Sequence, residues 1–335
     1  MISKNTIWIF LIAVNFITAQ ENNFSLSGKT SDIDDGTYLY LRDLVNGGDI
    51  DSARVEKNSF KFTTDLPEPS LWVMLHTKDQ LKFKELWLEN STMTFDSSES
   101  EFKDAEVTGS KNHSLSIELK EQLDANITEI PGDTLKRREE LFIKQYPNAL
   151  ISAFIIYGNR RMSIADVRDL FGILSQEVQI SSLGQRISKD LDKDIPEIGE
   201  SYSDFSVQNS EGKIQNISEL RGKLTLLQFW SSTCTMSRIM NSTLSKVYKN
   251  YHSKGFEIIS VSNETDKDQW LNAIENDQLK WPQLSNFKGW KGEVFEAYGI
   301  HSTPSNLLIN SGGKIVERNL DGDEIEEKIK KHLIK

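Results

Sequence analysis

Cysteine is almost absent: the 335-residue chain contains one, Cys234. An intrachain disulfide is therefore excluded, and so is a two-thiol redox centre built from this chain alone. The five histidines are scattered and no Cys/His spacing would assemble a metal site, so neither metal nor other cofactor is expected. Cationic charge is also short, with 39 Lys and Arg against 50 Asp and Glu and a formal net charge of −11. A surface of that sign repels phosphate backbones and anionic headgroups, which argues against nucleic acid or an anionic membrane as partner. Glycine-rich phosphate loops and fixed-period repeats are missing too. The apolar run at residues 7–16 falls short of the roughly 20 residues that span a bilayer.

That run has another meaning. Lys4 precedes it and a short tail, Ile-Thr-Ala, follows, which predicts a signal peptide over 1–19 cut after Ala19. An uncleaved anchor is the competing reading, because Ile17 is large for the residue three before a cut. With no cysteine at the cut, a lipid anchor is excluded. The mature chain is expected outside the cytoplasm, in a periplasm, free of membrane contact and where disulfides form. An odd thiol there points to reactive use or to pairing with another molecule.

Periodicity divides the rest. Residues 20–110 read as a small all-β, sandwich-like domain, with short alternating strands at 25–28, 37–42, 60–63, 71–75, 86–90 and 93–95 separated by turns such as Asp35-Gly36 and Asn46-Gly47-Gly48. Trp72 and Trp87 are assigned to its core, with a ligand face as the alternative. Over 111–193 the period lengthens to about 3.6. Leu115, Leu119 and Leu123 share a face, 134–146 is amphipathic, 149–157 is apolar enough to be buried, and Ser163 caps a further helix. So many leucines predict a packed helical spacer, with the joint to the last domain at 189–194. Residues 194–335 form the third module.

The chemistry centres on the run from Leu224 to Arg238. Seven apolar or strand-forming residues end at Trp230, small polar residues follow, and Cys234 comes immediately before a helical pattern of Met240, Leu244, Val247, Tyr248 and Tyr251. A thiol at a strand-to-helix turn faces unpaired N–H groups and the positive end of the helix dipole. Such placement brings a cysteine pKa from about 8.5 to about 3.5–7.5 and makes a nucleophile. The polar neighbours 231–233 and 235–237 predict an exposed thiol rather than an inert core cysteine.

Phe229-Trp230-Ser-Ser-Thr-Cys234-x-x-Ser237-Arg238 resembles the Phe-Trp-Ala-x-Trp-Cys-x-x-Cys signature of extracytoplasmic thioredoxins of the TlpA/ResA type. The resemblance runs from about Ile195 to Lys335. It includes Gly199-Glu-Ser-Tyr-Ser-Asp-Phe-Ser-Val, Leu220-Arg-Gly-Lys223, Gly255-Phe-Glu-Ile-Ile-Ser-Val-Ser262 and Tyr298-Gly-Ile-His-Ser-Thr-Pro304. It implies an α/β thioredoxin-like fold in which 224–230 and 256–262 are parallel neighbours. The segments 36–41, 50–55, 60–62 and 88–90 resemble the domain of unknown function that often precedes such modules. The resemblance further implies a cis peptide before Pro304, with Thr303 and Pro304 beside the thiol. Thr235 and Met236 then flank the thiol, and Trp230 shields it.

Departures from the pattern decide the chemistry. The second cysteine is Ser237, the helix glutamate is Met240 and the helix proline is Ser242, while Gln228 stands where thioredoxins carry a buried aspartate. A serine hydroxyl does not attack sulfur, so whatever Cys234 captures must be released from outside. The expected activity is extracytoplasmic thiol–disulfide exchange by a monothiol, with Cys234 as nucleophile and Ser237 in the resolving position. Its partners are protein or small-molecule thiols and disulfides and an external thiol reductant. The alternative is a redox-inactive binding scaffold. A one-cysteine peroxidase is discounted, since its Pro-x-x-x-Thr-x-x-Cys pattern meets Leu227 and Ser231 here.

Overall fold

The computed structural model describes residues 24–124 and 132–333; the expected signal peptide, 1–19, lies outside them. Two compact units divide the chain, Met1–His113 and Ser114–Lys335.

In the first unit every second side chain points to a shared core, as strand geometry requires. One four-stranded sheet runs in the order Ser59–Phe62, Ser25–Thr30, Thr92–Ser97, Glu106–Thr108, with its central pair parallel. The other runs Asp49–Arg54, Tyr38–Asp43, Ser70–Thr77, Phe83–Glu89, antiparallel throughout. Leu26, Leu39, Leu41, Phe62, Val73, Leu75, Leu86, Leu88 and Phe95 fill the core of this sandwich. Asp49–Arg54 carries no alternating apolar pattern, and its pairing with Tyr38–Asp43 makes it a strand. Of the two tryptophans assigned to the core, Trp87 is buried, but neither indole joins the cluster between the sheets. Leu71 and Val73 flank Trp72, and Leu86 and Leu88 flank Trp87; all four point inward, so both indoles occupy the opposite face of the sheet. They stack there at 6.1 Å, and Trp87 is buried on that face.

The second unit begins with helices. Gly132–Gln145, Leu150–Gly158, Ile164–Ile173, Gln176–Ile180 and Ser182–Leu191 follow one another. Ser163 caps the third of these, its hydroxyl accepting from the Asp166 N–H while the Asp166 carboxylate accepts from the Ser163 N–H. Leu150, Ile151, Ala153, Ile155 and Ile156 are buried. The last helix runs through Leu191, inside the expected joint at 189–194, and Asp190 lies 2.7 Å from His301.

Behind these helices stands a five-stranded sheet ordered Gln283–Ser285, Phe256–Ser262, Leu224–Trp230, Ser305–Asn310, Ile315–Arg318. Leu224–Trp230 is central, parallel to Phe256–Ser262 and antiparallel to Ser305–Asn310. Its seven residues are all buried because helices cover both faces. Leu224, Leu226 and Trp230 enter one core with Leu244 and Val247, while Leu227 and Phe229 enter the other with Phe295 and Tyr298. The connection from the central strand to its parallel neighbour passes through the helix Thr235–Tyr251, as the sequence predicted.

Candidate functional site

Cys234 is the N-cap of the helix Thr235–Tyr251 and is half-buried. The central strand ends at Trp230, and a tight turn brings the chain to the helix. In that turn the Cys234 N–H donates to Ser231 O, and the Ser231 and Thr233 hydroxyls lie 3.0 Å apart. Exposure was expected from the polar neighbours, but Ser231, Ser232 and Ser237 are all buried. The Ser231 and Ser237 hydroxyls find partners inside the protein, whereas Thr233, Thr235 and Met236 are exposed, so polarity did not report exposure residue by residue.

The main internal partner is Glu264, which sequence reasoning missed. It is only 5% exposed and accepts from the Ser232 N–H at 2.5 Å and from the Ser231 hydroxyl at 3.3 Å. Arg238 holds the other side, donating to Ser232 O at 3.2 Å while its guanidinium forms a two-point pair with Asp277. Glu264 follows the parallel strand by two residues, a position whose role no local pattern announces. Asp277 had no sequence signal at all.

Around the sulfur, the structure brings Ser237 and Thr303 to Cys234. The thiol donates to Thr303 O at 3.3 Å, and the Thr303–Pro304 peptide is cis. Burial pushes the Cys234 thiol up, but hydrogen bonds from the Ser237 hydroxyl and N–H, from the Thr303 side chain and from the Met236 N–H outweigh it, and the net displacement is downward. Each such donor stabilises the thiolate more than the thiol. Ser237 is wholly buried, and its oxygen also accepts from the Ser231 N–H at 3.3 Å. Thr235 and Met236 are exposed beside the thiol, with Ile239 exposed on the following turn.

Two expected contact residues turn inward. Trp230 is 0% exposed and sits in the core with Met240 and Leu244, so it offers a client no surface. Its place follows from strand alternation, which aims residue 230 to the same side as Leu224 and Leu226. Pro304 is buried as well, while Thr303 is partly exposed, as are His301 and Ser302 before it.

Beneath the helix start lies a buried polar chain. Trp281 Nε1 donates to Ser260 Oγ at 2.7 Å, Ser260 donates to Gln228 Oε1 at 2.6 Å, and Gln228 Nε2 donates to Asn241 Oδ1 at 2.9 Å. Asn241 then donates to Asp277 Oδ2 at 3.2 Å. Amides and hydroxyls hold their protons, so this chain fixes the helix but relays no proton to residue 237. Met240 adds only apolar packing where an acid would be needed. Among the described residues no His, Cys, Asp and Glu cluster fits a metal ion, and no helix is long and apolar enough to cross a membrane.

The hydrogen bonds predict a pH profile. Alkylation of Cys234 is expected to remain fast below the ordinary cysteine range, near pH 8.5 for a free thiol, and to vanish in Cys234→Ser. Ser237→Ala removes a donor to the thiolate and should move the midpoint upward. A midpoint that is unmoved by Ser237→Ala would contradict the assigned role of that hydroxyl.

Comparison with known proteins agrees with this geometry. Residues 198–318 match the AhpC/TSA family, and residues 24–115 match the domain of unknown function DUF4369. The thiol-disulfide oxidoreductase ResA of Bacillus thuringiensis (strain Al Hakam) is 30% identical over 144 residues, which cover 43% of this chain and 81% of that protein. Its counterpart in Halalkalibacterium halodurans is 30% identical over 131 residues, covering 39% of this chain and 73% of the relative. Among solved structures, a thiol-disulfide oxidoreductase from Bacteroides fragilis is 32% identical, with a TM-score of 0.38, and covers 39% of this chain and 98% of its own.

Proposed function

Because this chain belongs to the family of ResA-type thiol-disulfide oxidoreductases, we propose that it carries out thiol–disulfide exchange through Cys234 alone. The observation that carries the reading is the half-buried thiol at a helix start, with Ser237 and the Met236 N–H stabilising its anion. The Cys234 thiolate attacks one sulfur of a client disulfide. A Cys234–client bond forms, the client S–S bond breaks, and the departing sulfur leaves with the electron pair and takes a proton from solvent. No net electron is gained in this step. An external thiol, as its thiolate, then attacks the mixed disulfide and frees either Cys234 or the client. Ser237 contributes hydrogen bonds throughout and never a bond to sulfur.

In this reading the mature protein begins after Ala19 and works in an extracytoplasmic compartment, a periplasm. It carries a β module over 20–110, a helical module over 111–193 and the thiol-bearing module over 194–335. Exposed Thr235 and Met236, together with Thr303, form the surface that meets a protein or small-molecule disulfide.

The test is direct. Protein treated with glutathione disulfide is expected to gain one glutathione by intact-mass measurement, to lose it on adding dithiothreitol, and to gain none as Cys234→Ser. Wild-type protein that stays unmodified under a large excess of glutathione disulfide would sink the monothiol reading and favour a redox-inactive scaffold.

A further inference from the structure

The helices between the two family matches reach the loop that borders the thiol, and they hold it on both sides of Thr303. On one side His301 stacks on Tyr157 with ring centroids 4.1 Å apart and lies 2.7 Å from the Asp190 carboxylate. On the other side Arg160 Nη1 donates to Pro304 O at 3.1 Å, while the same guanidinium pairs with Asp321. Asn319 completes this second grip: its amide donates to Arg160 O, and its backbone N–H donates to Asn306 O at 2.7 Å. Within the loop the Ser305 hydroxyl closes on Ser302 O at 2.8 Å. Thr303 therefore stands between two anchor points supplied from outside the matched domain, and its carbonyl receives the Cys234 thiol.

Beside these anchors the residues flanking Thr303 and Pro304 border open space. A cavity of about 650 Å³ opens there, lined by Arg160, His301, Ser302, Ser305 and Asp321 among others. A loop whose flanking residues border a cavity can shift once its anchors are cut. Lys would replace the second anchor only in part, because its ammonium lacks the planar fork that holds a carbonyl and a carboxylate in fixed geometry.

From this arrangement we infer that the helical segment is part of the client-binding side of the thiol site, with Arg160 a positioning residue that fixes the Thr303–Pro304 loop against Cys234. The inference rests on the reading of Cys234 as the exchanging thiol. A polypeptide whose sulfur reaches Cys234 must pass between this loop and the exposed Thr235 and Met236. A small disulfide need not touch the loop. Displacing it by an ångström therefore penalises the peptide and spares the small molecule.

Two probes with the same leaving group separate these cases: a short extended peptide whose central cysteine is capped with thionitrobenzoate, and N-acetylcysteine with the same cap. In both, the Cys234 thiolate attacks the cysteine sulfur and coloured thionitrobenzoate leaves with the electron pair. For the mature full-length protein the ratio of the two rate constants, peptide over small molecule, is the readout. Arg160→Ala is expected to lower that ratio on the order of tenfold, Arg160→Lys by a smaller factor, and Arg161→Ala, which breaks only a pair with Glu139 within the helices, to leave it unchanged. Should Arg160→Ala fail to fold by circular dichroism, Arg160→Lys carries the test. An unchanged ratio in the folded Arg160 variants, or an equal fall in Arg161→Ala, overturns the inference while leaving the thiol reading intact. A wild type that releases thionitrobenzoate from neither probe overturns the thiol reading itself.

Discussion

Ser237→Cys is expected to turn a thiol trap into a disulfide reductase. In the wild type a mixed disulfide at Cys234 waits for an external thiol at ordinary concentration. A thiol at residue 237 lies one helical turn away and attacks from inside the molecule, where effective molarities of about 10⁵ M or more are attainable. The lifetime of a glutathione adduct should then shorten by on the order of a hundredfold or more, and an internal disulfide should appear in its place. Burial limits the gain. Ser237 is 0% exposed, so the introduced thiol is desolvated, which favours its protonated form. The Gln228–Asn241 chain beneath it offers no base to take that proton. Combining Ser237→Cys with Met240→Glu supplies one and is expected to accelerate turnover further. Adduct lifetime by mass spectrometry and insulin reduction by turbidity check both steps. A Ser237→Cys protein that forms no internal bond and keeps its adduct as long as the wild type would show that residues 234 and 237 do not meet in the way the structure shows.

Trp230→Ala should be the most destabilising single change near the site while leaving the thiol chemistry alone. The indole is fully buried among Leu226, Leu244 and Ile258. Removing so large a core side chain costs about 3–5 kcal/mol through lost burial and a residual cavity. Its Nε1 has no hydrogen-bond partner, so no polar contact offsets or adds to that loss. Urea unfolding followed by circular dichroism measures the fall, and the pH midpoint of Cys234 alkylation in the folded variant should match the wild type. A loss below about 1 kcal/mol together with a shifted midpoint would restore the shielding role that the family resemblance implied.

Strand and helix periods were legible because burial imposes them locally. The run 224–230 announced a central strand, Ser163 announced its helix, and the break after Trp230 announced where Cys234 would stand. Residues whose role depends on distant partners gave no such signal. Ser231 and Ser232 looked like an exposed turn because Glu264, which satisfies them, comes about thirty positions later in the chain. The approach of Asp190 to His301 gave no signal either, because it spans more than a hundred residues of sequence. The indoles Trp72 and Trp87 looked like core because composition does not say which face of a sheet is covered.

By itself the sequence determined the class of chemistry and its limit. One cysteine at a strand-to-helix turn, with serine three residues on, permits a mixed disulfide and forbids its internal resolution, whatever the packing. Only the tertiary structure decided the environment of that thiol. It set which donors face the sulfur, that Trp230 and Pro304 are buried, and that Arg160, 144 residues before Pro304, holds the loop beside it. The division has a physical reason. Covalent capacity belongs to a side chain and travels with its identity, whereas hydrogen bonding, burial and position are properties of neighbours that the chain assembles only on folding.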